Sequence, residues 1–195
     1  MSYNDRRRRR THELLEKAFL ELMAERGYNA VTIQEIVERA GVGRATFYRH
    51  YGGKDELFLR CHEAFIKRFG IYPPVREELL APEPPATMVA AYRHLAEVRP
   101  VLSPILLGYA KDSGLLLRRM RQSCARRIEE SLRVAFPAKE ETVPAELVAN
   151  FLAGAQLGLL HWWFERHLPG PPEHLARAFH RLRQGVISAA FGPAP

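Results

Sequence analysis

The stretch between Gly41 and Lys54 of this 195-residue chain combines several hydrogen-bond donors with a complete absence of acidic side chains. The donors are Arg44, Thr46, Tyr48, Arg49 and His50. Such side chains suit phosphate oxygens and the acceptor atoms on the edges of bases. The formal net charge of the whole chain is +7, which also favours a polyanionic partner. This stretch therefore predicts a nucleic-acid interface.

Two short helices are expected to carry this surface. Thr32 and Glu35 have the spacing of a capping box, which predicts that the first helix starts at Thr32. Gly41 predicts its end, and a second short helix from about 43 to 50 follows. Its inward side carries two aromatic residues four apart, Phe47 and Tyr51. The glycine between two short helices is typical of a helix-turn-helix.

The rest of the chain shows helical periodicity and no strand pattern of useful length. Further helices are expected at 12–26, from Asp55 and Glu56 onward, and at about 86–98, 101–111, 114–136, 144–167 and 172–191. The proline-dense stretch from Pro73 to Pro85 predicts an irregular link. We predict an all-α fold, with a three-helix helix-turn-helix domain over residues 1–60 and a larger helical domain over residues 61–195.

Five consecutive arginines, Arg6 to Arg10, precede the first predicted helix. They predict a basic, flexible arm over residues 1–10 that adds phosphate or minor-groove contacts to DNA. The alternative is a solvated charge run without a function.

The segment from about residue 10 to 59 resembles the N-terminal domain of TetR-type (tetracycline-repressor) regulators. The shared features are the Gly27-Tyr28 step, the Thr32 cap, Ala40-Gly41-Val42, the Phe47-Tyr48 pair and Lys54. The resemblance implies a DNA-binding transcriptional regulator, a repressor that a small hydrophobic or amphipathic effector releases from a palindromic operator. An architectural DNA-binding protein of the same fold, without an effector, stays open as the alternative.

The resemblance also implies which residues contact DNA. The residues expected to read bases or nearby phosphates are Arg44, Ala45, Thr46 and Arg49. The residues expected to contact the DNA backbone are Tyr48 and His50. Lys54 is expected to meet a phosphate at the start of a helix. Thr32 and Gln34 are expected near the edge of the groove. Two departures affect the local phosphate contacts: Gly43 stands where the family often has serine, and Gly52-Gly53 is a looser connection.

Two apolar-striped helices near the C-terminus predict a contact between subunits. Gly154 and Gly158 lie one turn apart, which lets two helices approach closely. The resemblance implies that the helices at 144–167 and 172–191 pair with their copies in a homodimer. The predicted interface residues are Phe151, Gly154, Ala155, Gly158, Trp162, Phe179, Leu182 and Val186. Packing of both stripes in the subunit's own core is the alternative.

A pocket for the effector is predicted mainly among the helices from about 86 to 136, because apolar and aromatic residues with a few polar groups are typical of ligand sites. The candidate lining residues are Met88, Tyr92, Leu95, Leu106, Tyr109, Leu116, Met120 and Trp163. Arg93, Arg118 or Arg119 would suit an acidic head group. For each lining residue, simple core packing is the competing interpretation.

Enzyme and metal sites have little support in the sequence. The chain has no G-x-S-x-G elbow, H-E-x-x-H pair or phosphate-binding P-loop, and we expect neither catalysis nor a cofactor. His161, Glu165 and His167 are near one another in sequence but have no second pair of ligands, so no metal is expected.

The expected location is the cytoplasm. The two cysteines, Cys61 and Cys124, are too few for a disulfide framework, and no secretory signal is recognisable. No apolar run approaches the roughly 18 to 20 residues needed to cross a bilayer, so no membrane partner is expected.

Overall fold

The computed structural model describes residues 3–69, 75–109, 113–136, 142–167 and 169–192. Every regular element within these ranges is a helix, which confirms the all-α prediction. The N-terminal helices are α1 (Tyr3–Arg26), a short 3₁₀ turn (Tyr28–Ala30), α2 (Ile33–Ala40), α3 (Arg44–His50) and α4 (Lys54–Phe69). The others are α5 (Arg76–Leu79), α6 (Ala86–Glu97), α7 (Arg99–Leu106), α8 (Ser113–Ala135), α9 (Ala145–Glu165) and α10 (Pro172–Phe191).

The helix-turn-helix is built as the capping pattern predicts. The Thr32 backbone N–H donates to Glu35 Oε2 at 2.9 Å, and the Glu35 N–H donates to Thr32 Oγ1 at 3.3 Å. Gly41 ends α2 in the left-handed region, with a φ of 65°, and its N–H donates to Glu38 O at 3.2 Å. A side chain at Gly41 would be strained by this φ, so glycine is the residue that suits the turn.

A shared apolar core fixes α3 against its neighbours. Phe19 of α1, Ile36 of α2 and Phe47 of α3 are each fully buried and belong to one cluster. Because α3 has only seven residues, its helical conformation depends on this packing rather than on intrinsic propensity.

Arg6 to Arg10 lie inside α1, so the prediction of a flexible arm is wrong. Arginine is a good helix former, and each residue added to an existing helix gains a backbone hydrogen bond. Arg9 also pairs with Glu13 one turn later, at 2.9 Å. The arginine run therefore projects from the domain on a helix.

The C-terminal helices agree with the predicted ones to within a few residues, with two differences. The helix α7 ends at Leu106 instead of continuing to residue 111, and Gly108 then takes a φ of 78°. Within the predicted link, residues 76–79 form the one-turn helix α5, while Pro73 and Pro74 lie outside the described residues.

The helix α4 connects the two halves of the chain, and the predicted boundary at residue 60 falls inside it. Leu57 and Phe58 pack in the cluster that contains Phe19, whereas Ile66 packs in a second cluster built mainly by α8, α9 and α10. A displacement of α4 would therefore change the packing in both halves of the chain. None of the described helices is long and apolar enough to cross a membrane.

Candidate nucleic-acid interface and ligand cavity

The outward surface of α3 carries the predicted DNA-contacting side chains. Arg44, Ala45 and Arg49 are exposed, Tyr48 is 48% exposed, and Thr46 is partly buried. The Arg44 guanidinium lies 5.7 Å from the centre of the Tyr48 ring, within the range of a cation–π contact. The half-exposed Tyr48 thus keeps its ring accessible at the surface instead of burying it in the core.

The back of α3 is anchored by aromatic residues and a histidine pair. Phe47 and Tyr51 are buried with ring centres 5.7 Å apart. The Tyr51 hydroxyl lies 2.6 Å from His12 Nδ1, and His12 Nε2 lies 3.1 Å from His50 Nδ1. His50, which is predicted to contact the DNA backbone, is therefore partly buried against α1. Burial is the main cause that lowers the pKa of both histidines, with Arg60 and Arg8 adding to it at His12 and mainly His12 at His50.

The N-terminal turns of α1 bring further arginines beside α3. A groove is lined by Arg7, Arg8 and Thr11 of α1 and by Gly43, Thr46 and Arg49 around the start of α3, and Asp5 also lines it. Sequence reasoning missed this groove because it treated the arginine run as irregular. Because α1 continues as a helix through the arginine run, Arg7 and Arg8 lie near Thr46 and Arg49 of α3.

Lys54 is engaged within the domain. Its Nζ donates to the carbonyl oxygens of Tyr28 and Val31, both at 2.8 Å, and lies 4.3 Å from the centre of the Tyr28 ring. Burial lowers the pKa of Lys54, with Asp55 opposing the change. The Tyr28 hydroxyl donates to Asp55, which ties the same region together. Lys54 thus has a structural role within the domain, and its contact with a DNA phosphate stays a prediction.

Thr32, the N-cap residue of α2, and Gln34 of α2 are predicted to lie near the edge of the DNA groove, and both lie at the protein surface. Thr32 Oγ1 donates to Glu35 Oε2 at 2.8 Å, and Gln34 Nε2 donates to Glu38 Oε1 at 2.6 Å. Both side chains are exposed.

A cavity of about 370 Å³ lies between α1, α4, α6, α7, α8 and α9. Three of the predicted pocket residues, Leu95, Leu106 and Met120, line it. The other predicted residues do not. Met88, Tyr92, Leu116 and Trp163 are fully buried in the core, and Tyr109 is 75% exposed. Arg93 forms an ion pair with Glu173 elsewhere, and Arg118 and Arg119 are not among the lining residues.

Sequence reasoning missed the part of the wall that comes from the N-terminal half. Leu20, Met23 and Ala24 of α1 and Phe58, Cys61, His62 and Phe65 of α4 line the cavity. The available signal was the inward face of α4, where Phe58, Cys61 and Phe65 recur at helical spacing. Among the described residues, no three His, Cys, Asp or Glu side chains come together as a metal site.

The predicted interface helices present an open apolar stripe. Phe151 is 58% exposed, Trp162 is 41% exposed and Leu182 is 65% exposed, with Leu147 of α9 extending the same stripe at 60%. A Cβ atom built at Gly154 or Gly158 would meet no atom within 4 Å. Ala155 is also exposed and Val186 partly buried, whereas Phe179 is only 2% exposed and packs in the subunit's own core.

Comparisons with known proteins agree with this architecture. Residues 15–61 match the family model of bacterial regulatory proteins of the tetR family. The chain is 30% identical over 181 residues to YxbF of Bacillus subtilis (strain 168), an uncharacterised HTH-type transcriptional regulator, covering 90% of this chain and 45% of YxbF. It is 34% identical over 80 residues to the HTH-type transcriptional regulator TcmR of Streptomyces glaucescens, covering 39% of this chain and 35% of TcmR. The chain thus spans less than half the length of these curated relatives.

Solved structures show the same fold. The TetR-family repressor FadR of Thermus thermophilus, solved with lauroyl-CoA, has a TM-score of 0.59 at 22% identity and covers 94% of this chain and 98% of its own. A TetR transcriptional regulator of Rhodococcus sp. RHA1 has a TM-score of 0.60 at 21% identity, with 94% and 98% covered. The fold is a helix-turn-helix domain followed by a larger helical domain. The segment of residues 15–61 is thus similar to the tetR family, and the described chain has the fold of these solved regulators.

Proposed function

We propose that this chain is a DNA-binding transcriptional repressor that holds its operator as a two-fold dimer and releases it when a small hydrophobic or amphipathic effector binds. The observation that carries the proposal is α3, a short helix with an acid-free donor surface outward and buried Phe47 and Tyr51 inward. A helix held this way on a rigid domain suits insertion into the major groove.

The DNA contacts are proposed residue by residue. Arg44, Ala45, Thr46 and Arg49 read base edges or adjacent phosphates, and Tyr48 and His50 contact the backbone. Thr32 and Gln34 approach the groove edge, and Lys54 supports the start of α4 near a phosphate. Arg7 and Arg8 are added from the structure, because they share a groove with Arg49.

Dimerisation follows from two physical demands. The exposed stripe with Phe151 and Trp162 is unfavourable in water, because apolar surface of this kind gains from burial. One short helix reads only a few base pairs, too few to single out a site in a genome. Two reading helices related by symmetry meet both demands, and their half-sites are expected roughly 34 to 36 Å apart or at a multiple of that spacing.

The cavity supplies the proposed effector site and α4 the link to DNA. Phe58, Cys61 and His62 of α4 form part of the cavity wall, while Lys54 at the start of the same helix is bonded beside the reading domain. An effector that moves α4 would change the spacing of the two reading helices. The FadR structure with lauroyl-CoA illustrates that a protein of this fold can hold a ligand with an acyl chain.

Selection of genomic fragments on the purified full chain tests the proposal. We expect enrichment of a few near-palindromic sites, each bound by a dimer in sedimentation. Comparable binding to most fragments would instead indicate an architectural protein and overturn the regulatory function.

A further inference from the structure

A chain of hydrogen bonds runs from α1 to the groove that α1 and α3 share. The Tyr51 hydroxyl donates to Glu16 Oε1 at 3.4 Å, and it lies 2.6 Å from His12 Nδ1. His12 Nε2 lies 3.1 Å from His50 Nδ1, and the two rings meet edge to face with centres 4.5 Å apart. His50 also lines the groove beside Arg49. The chain of hydrogen bonds therefore ends at a histidine next to the proposed DNA-contacting surface.

The second ring nitrogen of His50 is accessible from outside the protein. Its Nε2 forms no hydrogen bond with a described residue, and it keeps accessible surface because the side chain is only partly buried. Arg7, Arg8 and Arg49 line the same groove and give it positive charge. A phosphate oxygen bound in this groove is therefore a suitable partner for Nε2, provided that this nitrogen carries a proton.

The direction of donation along the chain follows from the carboxylate at its start. A carboxylate can only accept a hydrogen bond, so the Tyr51 hydroxyl uses its one proton for Glu16. Burial raises the pKa of the Tyr51 hydroxyl, with Glu16 adding to it, so the oxygen keeps this proton near pH 7. The Tyr51 oxygen then accepts from Nδ1–H of His12. A neutral His12 consequently has an unprotonated Nε2, which accepts from Nδ1–H of His50.

A neutral His50 is thus bonded in a way that leaves its Nε2 unprotonated. An unprotonated nitrogen and a phosphate oxygen are both acceptors, so they form no hydrogen bond with each other. Protonation removes this conflict, because the imidazolium ring has N–H groups on both nitrogens and carries a positive charge. Burial is the main cause that lowers the pKa of His50, followed by the charges of His12, Arg8 and Arg49. The free protein therefore holds His50 mainly neutral near pH 7.

Charged groups from three helices surround the histidine pair. The acidic groups are Asp5, Glu13 and Glu16 of α1. The basic groups are Arg7, Arg8 and Arg9 of α1, Arg49 of α3 and Arg60 of α4. A DNA phosphate adds negative charge to this groove, and a nearby negative charge favours the protonated form of a histidine. DNA binding is therefore expected to raise the pKa of His50.

We propose that each subunit takes up a proton from solvent at His50 when it binds DNA, and that Glu16, Tyr51 and His12 are the positioning residues that make this uptake necessary. The protonated ring donates through Nε2 to a backbone phosphate and through Nδ1 to His12. The inference rests on the proposed function, because it takes the groove beside α3 as part of the DNA interface. Since the bound form holds the extra proton, affinity should rise as the pH falls from about 8 to 6.

Calorimetric titration of the full chain with the DNA site that it selects from genomic fragments tests the proposal. At pH 7 and constant salt, the titration is repeated in HEPES and in Tris. The ionisation enthalpies of these buffers differ, so the difference in heat counts the protons taken up. We expect roughly 0.3 to 1 proton per subunit, and each full proton strengthens binding by up to about tenfold per pH unit as the pH falls.

Two variants locate the proton and test the positioning residues. His50→Gln removes the titratable ring but keeps an amide donor, so its uptake should be close to zero and its affinity nearly independent of pH. In Glu16→Gln, the amide can donate to the Tyr51 oxygen, which lets every bond in the chain reverse and places N–H on Nε2 of a neutral His50. Glu16→Gln should lose more than about half of the proton uptake and bind DNA about threefold to tenfold more tightly at pH 8.

Glu21→Gln is the matched control, because it removes the same charge from an exposed site on α1. Glu21 pairs with Lys17 and Arg39, and it lines neither of the grooves beside the histidine pair. This variant should take up as many protons as the original chain, and its affinity measures the effect of the lost charge alone. Helical circular dichroism shows whether each variant is folded.

An original chain that binds its site without taking up protons overturns the inference, as does undiminished uptake in His50→Gln. Equal uptake in Glu16→Gln, Glu21→Gln and the original chain also overturns it, because the bond direction would then have no effect. Selective DNA binding together with any of these results leaves the regulator in place and removes only the proton uptake. A chain that selects no DNA site removes the proposed function, and this inference with it.

Discussion

The outward surface of α3 and the wall of the cavity differ in how the chain builds them. The α3 surface comes from seven consecutive residues, and its buried side comes from the same seven together with Tyr51. The cavity wall collects side chains from six helices, from Glu16 on α1 to Leu160 on α9. The first surface is encoded locally, so its residues could be named from spacing. The second exists only once the helices have packed.

The proposed subunit contact lies between these extremes, and it is where we expect a substitution to have the largest effect. Gly158→Arg places a long charged side chain on the exposed stripe of α9, where a Cβ meets no atom of the same subunit. We expect monomers in sedimentation and a loss of operator affinity of more than about 100-fold, because the two reading helices are uncoupled. Helical circular dichroism should be preserved.

Gly114→Arg is the control for this experiment, because Gly114 of α8 is also exposed and also has open space around a Cβ. It should remain dimeric. A Gly158→Arg protein that stays dimeric with full affinity would place the contact on another face of the molecule.

Next in size is the expected effect of replacing Arg44, which we propose reads a base. Arg44→Ala should cost roughly 1–3 kcal/mol of operator binding and relax the sequence preference at one position, because arginine commonly binds guanine with two hydrogen bonds. Lys17→Ala on α1, also exposed and distant from α3 in the chain, is the control. Selection experiments on both variants measure the preference. An unchanged preferred sequence for Arg44→Ala would show that α3 is not the reading helix.

A substitution of Lys54 distinguishes a structural role of this side chain from a role in DNA binding. Lys54→Met keeps the apolar stem but removes both hydrogen bonds to Tyr28 and Val31, so it should lower the free energy of unfolding by about 1.5–3 kcal/mol. Lys17→Met, at an exposed site on α1, should leave stability unchanged. Denaturant unfolding is the measurement. Unchanged stability combined with weaker DNA binding would mean that the ammonium serves a phosphate instead.

The arginines on the first turns of α1 should have a smaller, salt-dependent effect. Replacing Arg7 and Arg8 by glutamine should weaken DNA binding at low salt and reduce the slope of log affinity against log salt by roughly 1 to 2. Arg9→Gln is the control, because Arg9 pairs with Glu13 and does not line the groove beside Arg49. An unaltered salt slope in the double variant would leave the arginine run without a role in binding.

The smallest expected effect concerns pH. His12 and His50 have pKa values lowered by folding, so the unfolded chain binds protons more readily. The contribution of these two histidines to stability is therefore constant above the unfolded pKa of about 6.5 and is lost as the pH falls below it. The free energy of unfolding should decrease less between about pH 7.5 and 5.5 in a His12→Gln, His50→Gln double variant. His161→Gln, at an exposed position of α9, should behave like the original chain. An identical pH dependence in all three proteins would contradict this assignment.

Several features could be predicted from the sequence because their causes are local. The capping box of Thr32 and Glu35 and the left-handed turn at Gly41 depend on residues within a few positions of each other. The amphipathic pattern of α3 likewise follows from helical spacing alone. These short-range signals determined the fold class, the helix-turn-helix and the side chains on the outward surface of α3.

Tertiary structure decided the features that depend on distant residues. Tyr92 and Trp163 were predicted from the sequence to line the pocket, yet both are buried in the core. Helical periodicity indicates that a side chain faces inward, but it does not indicate whether other side chains fill the space next to it. The Lys54 ammonium donates hydrogen bonds to backbone carbonyl groups more than twenty residues earlier in the chain. Arg7 and Arg8 lie beside α3 only because α1 continues as a helix through them. The chain of hydrogen bonds from Glu16 to His50 depends on the packing of α1 against α3. The sequence determined which faces of the helices are apolar or basic, and the packing of those faces decided which side chains meet.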